Sequence, residues 1–221
     1  MQKENLVIFG TGKFAEVAHS YFSRYSNYNV VAFVEEMEVQ VEKHLLGLRV
    51  HSKTHMETIF DKGHYKLFIA IGYRQMNGVR ERIFSEMKQK GYSFANFIHP
   101  SVETWPSNLM GENCFIFENN VIQPFVSIGD NNIFWSGNHI GHHTHIGNHN
   151  FFSSHVVISG NCDIKDNCFF GVNATVHDGL KIAKGSLIAA GANVSKKTEE
   201  NGVYLDKFAT KFSKKSNELN F

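Results

Sequence analysis

The sequence has few cysteines and no long apolar run. Its 221 residues include only three cysteines, Cys114, Cys162 and Cys168, an odd number without a CxxC pair, which argues against a disulfide framework. No stretch reaches the roughly 18 consecutive apolar residues of a membrane-spanning helix, and the N-terminus lacks the apolar core of a signal peptide. We therefore expect a cytoplasmic protein that is not associated with a membrane.

The sequence also lacks a surplus of charge of either sign. Lysine and arginine number 22 against 21 acidic residues, a net charge of +1, so no broad basic surface for nucleic acid is expected. The length exceeds one average domain and is too short for three. It predicts two units that each bury a core.

The first hundred residues alternate between strand-like and helix-like segments. Continuous apolar runs at residues 6–9, 30–34 and 67–71 are typical of buried parallel strands. Amphipathic spacing follows the first run and recurs over residues 80–90. The pattern predicts a βαβαβ unit over residues 1–100, an α/β domain with three strands and helices packed on its sheet.

From about residue 100 the pattern changes to a repeat of six residues. Helical spacing disappears, and turn residues recur at short, regular intervals. Every sixth position is apolar: Met110, Ile116, Ile122, Ile128, Phe134, Ile140, Ile146, Phe152, Ile158, Ile164, Phe170, Val176, Ile182, Ile188 and Val194. Small or modest residues recur two positions earlier: Cys114, Val126, Thr144, Val156, Cys162, Cys168, Ala174, Ser186 and Ala192.

The repeat predicts a left-handed parallel β-helix over residues 101–200, with three short strands per coil of about 18 residues. Large aliphatic side chains would fill the interior, while Gly, Asn and Asp would occupy corners where a positive φ costs little. A β-sandwich is disfavoured because its loops vary in length. Residues 201–221 are lysine-rich and are expected to form a mobile C-terminal tail.

A glycine-rich turn follows the first predicted strand. The pattern Gly10-x-Gly12-x-x-Ala15 before a helix lets the backbone approach a pyrophosphate at the positive end of the helix dipole. With Glu35 or Glu36 as a downstream acid, the motif also fits an NAD-dependent oxidoreductase, and a tight turn without a ligand is the plain alternative. Three strands are too few for the six-stranded dinucleotide fold, so a mononucleotide is favoured.

Several segments, taken together and in this order, resemble the hexapeptide-repeat sugar acyltransferases. They are LVIFGTGKFAEVA, FVEE, FIAIG, FANFIHPS, GHHTHIGNHNFF, HVVISGN, FFGVNATV and IAAGANV. Within that family the sequence is most similar to sialic acid O-acetyltransferases and to N-acetyltransferases of nucleotide-linked amino sugars. The resemblance implies a homotrimer with active sites between adjacent β-helices and acetyl-CoA as acyl donor; we expect no metal, on grounds of histidine spacing given below.

The resemblance assigns the nucleotide-sugar site residue by residue. The residues it implies are Gly10, Gly12, Lys13, Glu35, Glu36 and Gly72. The first two glycines and the lysine would follow the phosphates, the glutamates would lie near the base, and the last glycine would contact the sugar or base. Relatives more often have Asp at the two glutamate positions, which leaves the identity of the base open.

Seven of the 13 histidines fall within residues 139–177. Acyl transfer to an amine needs a base that titrates near neutral pH, and imidazole meets that need. The resemblance implies that His142 is this general base, without a covalent acyl-enzyme. Relatives usually have Glu or Asp directly after this histidine, whereas this sequence has His143. Another carboxylate or a backbone carbonyl could orient His142, and His143 and Trp135 are possible orienting or substrate-binding residues.

Metal binding and plain structural roles could also account for the histidines. Trimeric β-helix carbonic anhydrases bind metal through a pattern that includes two histidines five apart, and no pair within residues 139–177 has that spacing. Positions on solvated edges or in polar contacts between subunits are the interpretation we favour for His139, His145, His149, His155 and His177.

Small residues on the later coils would let the thin pantetheine arm of acetyl-CoA approach the backbone. The residues implied to contact it are Phe151, Gly171, Val172, Ala189 and Ala190. Relatives tend to have a polar ring at the phenylalanine position and often Asn at the position of Trp135. Both changes predict a larger, drier pocket and a different acceptor or a bulkier acyl group.

The sequence therefore predicts transfer of acetyl from acetyl-CoA to the amino group of a dTDP-, UDP- or GDP-linked deoxyamino sugar. The product would serve surface glycan synthesis, such as lipopolysaccharide or O-antigen. O-Acetylation of a sialic acid or related sugar is the near alternative. A non-catalytic or metal-dependent trimeric β-helix protein is the alternative from another class.

Overall fold

Two units follow one another in the computed structural model, which describes residues 3–207 and Ser213. The first contains β1 (Glu4–Phe9), α1 (Lys13–Tyr25), β2 (Tyr28–Glu35), β3 (Lys43–Leu45), β4 (Leu48–Ser52), a 3-10 turn (Lys53–His55), α2 (Met56–Ile59), β5 (Tyr65–Ile69) and α3 (Gly78–Gln89). The second is built from short parallel strands. The predicted fold class, an α/β domain followed by a left-handed β-helix, is confirmed.

The α/β sheet has the order β3-β4-β2-β1-β5. All neighbouring pairs are parallel except β3 and β4, which form an antiparallel hairpin. The sequence predicted three strands in this domain, and that prediction was wrong because it missed the hairpin of β3 and β4. Its two strands are only partly buried and lack a continuous apolar run, and they turn through Leu46 and Gly47, both with positive φ.

Alternate residues of the central strand β1 face opposite sides of the sheet. Leu6 and Ile8 join a core that includes α1 and the outer surface of the β-helix. Val7 and Phe9 join a second core beneath α2 and α3. Both sides are therefore covered, which explains why the strand is apolar throughout.

The β-helix is a prism with three walls. Wall A contains β7 (Leu109–Met110), β10 (Ser127–Ile128), β13 (His145–Ile146), β16 (Asp163–Ile164) and β19 (Lys181–Ile182). Wall B contains β6 (Phe97–Ile98), β8 (Phe115–Ile116), β11 (Ile133–Phe134), β14 (Phe151–Phe152), β17 (Phe169–Phe170), β20 (Leu187–Ile188) and β22 (Val203–Tyr204). Wall C contains β9 (Val121–Ile122), β12 (His139–Ile140), β15 (Val157–Ile158), β18 (Thr175–Val176) and β21 (Asn193–Val194).

The six-residue repeat corresponds directly to this prism. Its apolar positions from Ile116 to Val194 are buried in one continuous interior core, and Met110 packs against the end of that core. The residues two positions earlier are also buried, including all three cysteines, which are free thiols. The predicted interior is therefore confirmed.

The corners of the prism explain the unusual composition. Left-handed backbone, with φ between 56° and 77°, recurs every six residues. These positions are Asn113, Asn119, Phe125, Asn131, Gly137, His143, His149, His155, Asn161, Asn167, Asn173, Gly179, Gly185 and Gly191. Asn and Gly were expected there, but Asp is absent and three histidines are present, so part of the histidine cluster serves corner geometry.

Wall B is covered by the chain's own α/β domain. Phe115, which points outward from this wall, lies 5.7 Å from Phe22 of α1 and 5.2 Å from Phe68 of β5 between ring centroids. The corner between walls A and B, called corner AB, binds the same domain, because Asn113 accepts a hydrogen bond from the backbone of Ile69 at 2.7 Å. On the other side, Tyr21 donates a hydrogen bond to Glu118 of corner BC at 3.0 Å.

The last strand, β22, pairs with β20 beyond the predicted end of the repeat. The predicted mobile tail, residues 201–221, lies outside the described residues from position 208 onward, apart from Ser213. Among the residues that the structure describes, no helix combines the length and apolarity that crossing a membrane requires.

Candidate active site

The glycine-rich loop lies where the sheet reverses its winding direction. The chain runs from β1 to β2 on one side, and β5 pairs on the other side of β1, so the loops after β1 and β5 open at the same sheet edge. Gly10 has φ +129°, and a Cβ there would stand 2.7 Å from the carbonyl oxygen of Ala70. Gly12 faces open space, with nothing within 4 Å of a Cβ position, at the N-terminus of α1. This opening fits a phosphate.

The predicted phosphate ligand Lys13 extends into solvent. Its side chain is 91% exposed and pairs with Glu16 one helical turn later, with Nζ 3.0 Å from Oε1. The structure therefore places Lys13 beside the glycine loop but directs its ammonium group along the helix surface.

The two predicted glutamates have different surroundings. Glu35 accepts hydrogen bonds from Thr11 at 3.1 Å and from Lys43 at 2.6 Å, so its carboxylate adjoins the glycine-rich loop. Glu36 receives a bidentate pair from Arg82 at 2.7 and 2.8 Å, and this hydrogen bonding lowers the pKa of Glu36. Glu35 is the better placed of the two for a ligand, and Thr11 is a neighbour that the sequence pattern did not indicate.

Gly72 lies at the start of a loop whose backbone contains several left-handed residues. A Cβ at Gly72 would meet nothing within 4 Å. Three successive non-glycine residues of the same loop, Gln75, Met76 and Asn77, have φ of 52°, 48° and 66°. Left-handed residues of this kind cost about 1–2 kcal/mol each, so the surrounding structure must hold the loop.

Arg80 holds this loop against corner AB. Its side chain is fully buried and donates to the carbonyl oxygens of Gly72, His149 and Asn150, each at 3.0 Å, and to the side chain of Asn77 at 3.1 Å. Burial lowers the pKa of Arg80 to about 9, which leaves the guanidinium charged at neutral pH. Asn77 is also fully buried and donates to the carbonyl of Cys168 at 3.2 Å. Neither residue was predicted, because neither belongs to a recognisable sequence pattern.

Phe151 lies beneath the same loop. It is 5% exposed, and its ring centroid stands 5.0 Å from Tyr73 and 5.6 Å from Phe169 on the outer face of wall B. Tyr73 is 56% exposed and directly follows Gly72. The structure thus brings Phe151 to the nucleotide side of the molecule and separates it from the open corner that carries the other residues predicted to bind acetyl-CoA.

Those other residues lie together on corner BC. Gly171 and Val172 occupy one coil, and Ala189 and Ala190 occupy the next, because β17 pairs in register with β20. A Cβ at Gly171 would overlap the backbone nitrogen of Ala190, so the two coils stack without a side chain between them. Val172 and Ala190 are exposed, which leaves a smooth surface of small residues.

Trp135 begins the same corner two coils earlier. Its ring stacks on Phe117 at 4.5 Å with an interplanar angle of 10°, and it stands 6.4 Å from Phe14 of α1. The indole nitrogen is buried and has no hydrogen-bond partner within the described part of the chain. Trp135 therefore belongs to the contact between the two domains, near the glycine-rich loop.

His142 lies on the third corner, corner CA. The side chain is exposed, and its backbone N–H donates to Gln123 Oε1 at 2.9 Å. Its Nδ1 lies 3.1 Å from Nδ1 of His143, whose ring packs 4.7 Å from Phe125. The Cε1–Nε2 edge of the His142 ring lies over Gly160 of the next coil. The imidazole in this position is accessible to a ligand.

The other histidines of residues 139–177 are spread over the prism. His149 and His155 occupy left-handed corners AB and BC, and His145 on wall A lies 2.8 Å from Ser127. His139 and His177 lie on wall C and at corner CA. Within residues 3–207, no three His, Cys, Asp or Glu side chains come together as a possible metal site.

His142 is remote from the nucleotide loops of its own chain. The α/β domain covers wall B, corner AB and the first coils of corner BC, whereas corner CA is the corner opposite that wall. The small-residue surface on corner BC is separated from His142 by the whole width of wall C. One chain therefore presents the three predicted parts of the site on different sides of the prism.

Comparisons with known proteins agree with both units. Residues 5–87 match the family model described as the PglD N-terminal domain. PerB from Caulobacter crescentus, solved with CoA and GDP-perosamine, is 25% identical and has a TM-score of 0.80 over 90% of this chain and 92% of its own.

Two other solved structures share the whole architecture. The acetyltransferase domain of PglB from Neisseria gonorrhoeae is 19% identical, with a TM-score of 0.80 over 91% of this chain and 96% of its own. WeeI from Acinetobacter baumannii is 18% identical, with a TM-score of 0.62 over the same shares. Residues 5–87 therefore resemble the PglD N-terminal domain, and the chain as a whole has the fold of the hexapeptide-repeat sugar acetyltransferases.

Proposed function

We propose that this protein is an N-acetyltransferase that moves acetyl from acetyl-CoA to the amino group of a nucleotide-linked deoxyamino sugar. The observation that carries the proposal is the full-length similarity to PerB, whose structure contains CoA and GDP-perosamine. The open glycine loops at the sheet edge and the accessible imidazole of His142 supply the two kinds of group that such a reaction needs.

The α/β domain would bind the nucleotide. Gly12 would admit the diphosphate to the N-terminus of α1, where backbone N–H groups and the helix dipole favour negative charge, and Gly10 would make the tight turn against Ala70 that leads into this loop. Glu35 would contact the base or ribose beside Thr11, and Gly72 would lie along the sugar. Lys13 can reach the phosphates only by leaving Glu16, so its contribution would be small.

His142 would act as the general base. Acetyl-CoA supplies the acetyl group as an activated thioester, and its pantetheine arm would follow Gly171, Val172, Ala189 and Ala190 on corner BC. The sugar nitrogen forms a bond to the thioester carbonyl carbon while its proton passes to Nε2 of His142. The carbon–sulfur bond then breaks, and the departing thiolate takes up a proton from the imidazolium.

A homotrimer would bring these parts together. Because the chain's own α/β domain covers wall B, a sugar bound there cannot reach corner CA of the same prism. A second copy that packs its corner CA beside corner BC and the nucleotide loops of the first would complete the site. Backbone amides at that junction would polarise the thioester carbonyl.

We also propose the setting and limits of this activity. The two units divide near residue 100, the protein works in the cytoplasm where both substrates are made, and its product enters surface glycan synthesis such as O-antigen. No metal is required in this scheme. The near-neutral net charge of +1 supports small-molecule rather than nucleic-acid partners.

Release of free thiol from acetyl-CoA tests the proposal. Purified protein is assayed with UDP-, dTDP- and GDP-linked 4-amino sugars, and the same sugars with a hydroxyl in place of the amine serve as matched acceptors. We expect thiol release with at least one amino sugar and none with its hydroxyl counterpart. Turnover of the hydroxyl acceptor alone would make the protein an O-acetyltransferase, and stoichiometric metal with no turnover would favour a metal-dependent β-helix protein.

A further inference from the structure

Three residues of corner CA form a column that runs across successive coils. The wall C strands of neighbouring coils pair in register, with His139 opposite Val157 and Val157 opposite Thr175. The residues three positions after each of these are His142, Gly160 and Asp178. His142 and Asp178 therefore stand on either side of Gly160.

The absent side chain of Gly160 leaves a gap that these two residues share. The point where its Cβ would stand lies 2.8 Å from Cε1 and 2.9 Å from Nε2 of His142. The same point lies 3.1 Å from Oδ1 of Asp178. The imidazole edge and the carboxylate thus face each other across one glycine, and any larger residue there would push the ring away.

The carboxylate of Asp178 is otherwise uncommitted. It is exposed, and no basic nitrogen of the described residues, including those of His142, lies within 4.0 Å of its oxygens. The other neighbour of the His142 ring is His143, whose Nδ1 can accept a hydrogen bond but brings no negative charge. When His142 takes up a proton, Asp178 is the nearby group that can balance the new charge.

We propose that Asp178 stabilises the protonated form of His142, in place of the acidic residue expected at the position of His143. It would act through His142 as a positioning residue and would not touch the acceptor. This inference rests on the proposed function, because it requires His142 to accept a proton during turnover.

The substitution Asp178→Asn tests this role, since it keeps the shape of the side chain and removes its charge. We expect kcat to fall about tenfold, the scale of one partly screened charge at this separation, while KM for both substrates stays within about twofold. The matched control is Asp163→Asn on wall A, where the carboxylate pairs with Lys165 at 2.8 Å. That control should leave kcat unchanged.

A second substitution tests the same role by rescue. His143→Asp in the Asp178→Asn background moves a carboxylate next to His142 and should restore most of the lost kcat. Asp tolerates the left-handed backbone of position 143, where φ is 58°. Circular dichroism of each variant checks that the β-helix is intact.

The outcomes separate this inference from the function on which it rests. Wild-type kcat in Asp178→Asn, together with an inactive His142→Ala, overturns the role of Asp178 and leaves the proposed base in place. A raised KM for the nucleotide sugar at unchanged kcat also overturns it, because Asp178 would then bind the acceptor directly. An active His142→Ala variant would reject the base itself.

Discussion

Corner AB and corner CA use the same backbone geometry for opposite purposes. At corner AB, His149 is largely buried, accepts a hydrogen bond from Asn131 at 2.8 Å and packs against Phe84 of α3. At corner CA, His143 has a similar φ but is exposed beside His142. Position in the repeat therefore fixes the backbone, while the docking of the α/β domain decides whether a corner residue is structural or available for chemistry.

The largest effect is expected at the buried joint, which is the contact that Arg80 makes between the loop after β5 and corner AB. Arg80→Met leaves several buried carbonyl oxygens and the strained 75–77 loop without their donor. We expect the free energy of unfolding to fall by about 3–5 kcal/mol, as for other losses of a buried polar network. Urea unfolding monitored by circular dichroism measures this loss.

Arg82→Met on the same helix is the matched control for that joint. Arg82 is about half exposed and pairs with Glu36 at the surface, so its removal should cost less than about 1 kcal/mol. Equal losses in the two variants would mean that the joint at corner AB is no more important for stability than an exposed ion pair.

The second prediction concerns the open corner CA. His142→Ala should lower turnover at least about a hundredfold, the usual scale for loss of a general base. Because the side chain is exposed, the unfolding free energy should change by no more than about 0.5 kcal/mol. Steady-state kinetics and urea unfolding on the same preparation measure both quantities. If His142→Ala lost stability but kept its activity, His142 would be a structural residue, and corner CA would not be the corner available for chemistry.

The third and smaller effect is a dependence of stability on pH that arises from His149 at the same joint. Burial lowers the pKa of His149 below its ordinary value of 6.5, so the unfolded chain binds the proton more readily than the folded one. The stability that the neutral ring contributes is present above pH 6.5 and is lost as the pH falls below it.

His149→Asn removes this titration and suits the corner, since Asn131 and Asn167 hold the equivalent positions of adjacent coils. We expect the fall in Tm between pH 7 and pH 5.5 to be shallower in this variant by roughly 2 °C. An unchanged pH dependence would show that His149 does not contribute to it. Half-buried His19 and His51, whose pKa values are also lowered by partial burial, would then account for the acid sensitivity.

The fold could be predicted in detail because its rule is local. A residue six positions from Ile140 must again point inward, and the interior follows from counting. The hairpin of β3 and β4 could not be found in this way, since half-buried edge strands lack a continuous apolar run. The corner histidines could have been recognised, because His143, His149 and His155 continue the six-residue phase of Asn131.

The candidate site was predictable only where a motif marks it. Gly10, Gly12 and His142 stand at recognisable positions; the structure leaves Gly12 and His142 open to a ligand, whereas Gly10 packs closely against Ala70. Arg80 and the buried position of Phe151 depend on how one domain docks on the other, which periodicity does not encode. Asp178 was detectable in principle, since it follows His142 by two full coils in the same column.

In the proposed homotrimer, one copy supplies His142 and another supplies the nucleotide loops. Subunits with His142→Ala are co-expressed with subunits carrying Gly12→Asp, under two affinity tags. The aspartate has open space and would cap α1, but it repels a diphosphate, and Gly12→Asn is its neutral control. Each parent should be inactive, whereas randomly mixed trimers should recover about a quarter of wild-type activity. Mixed trimers no more active than their parents would contradict a site shared between copies.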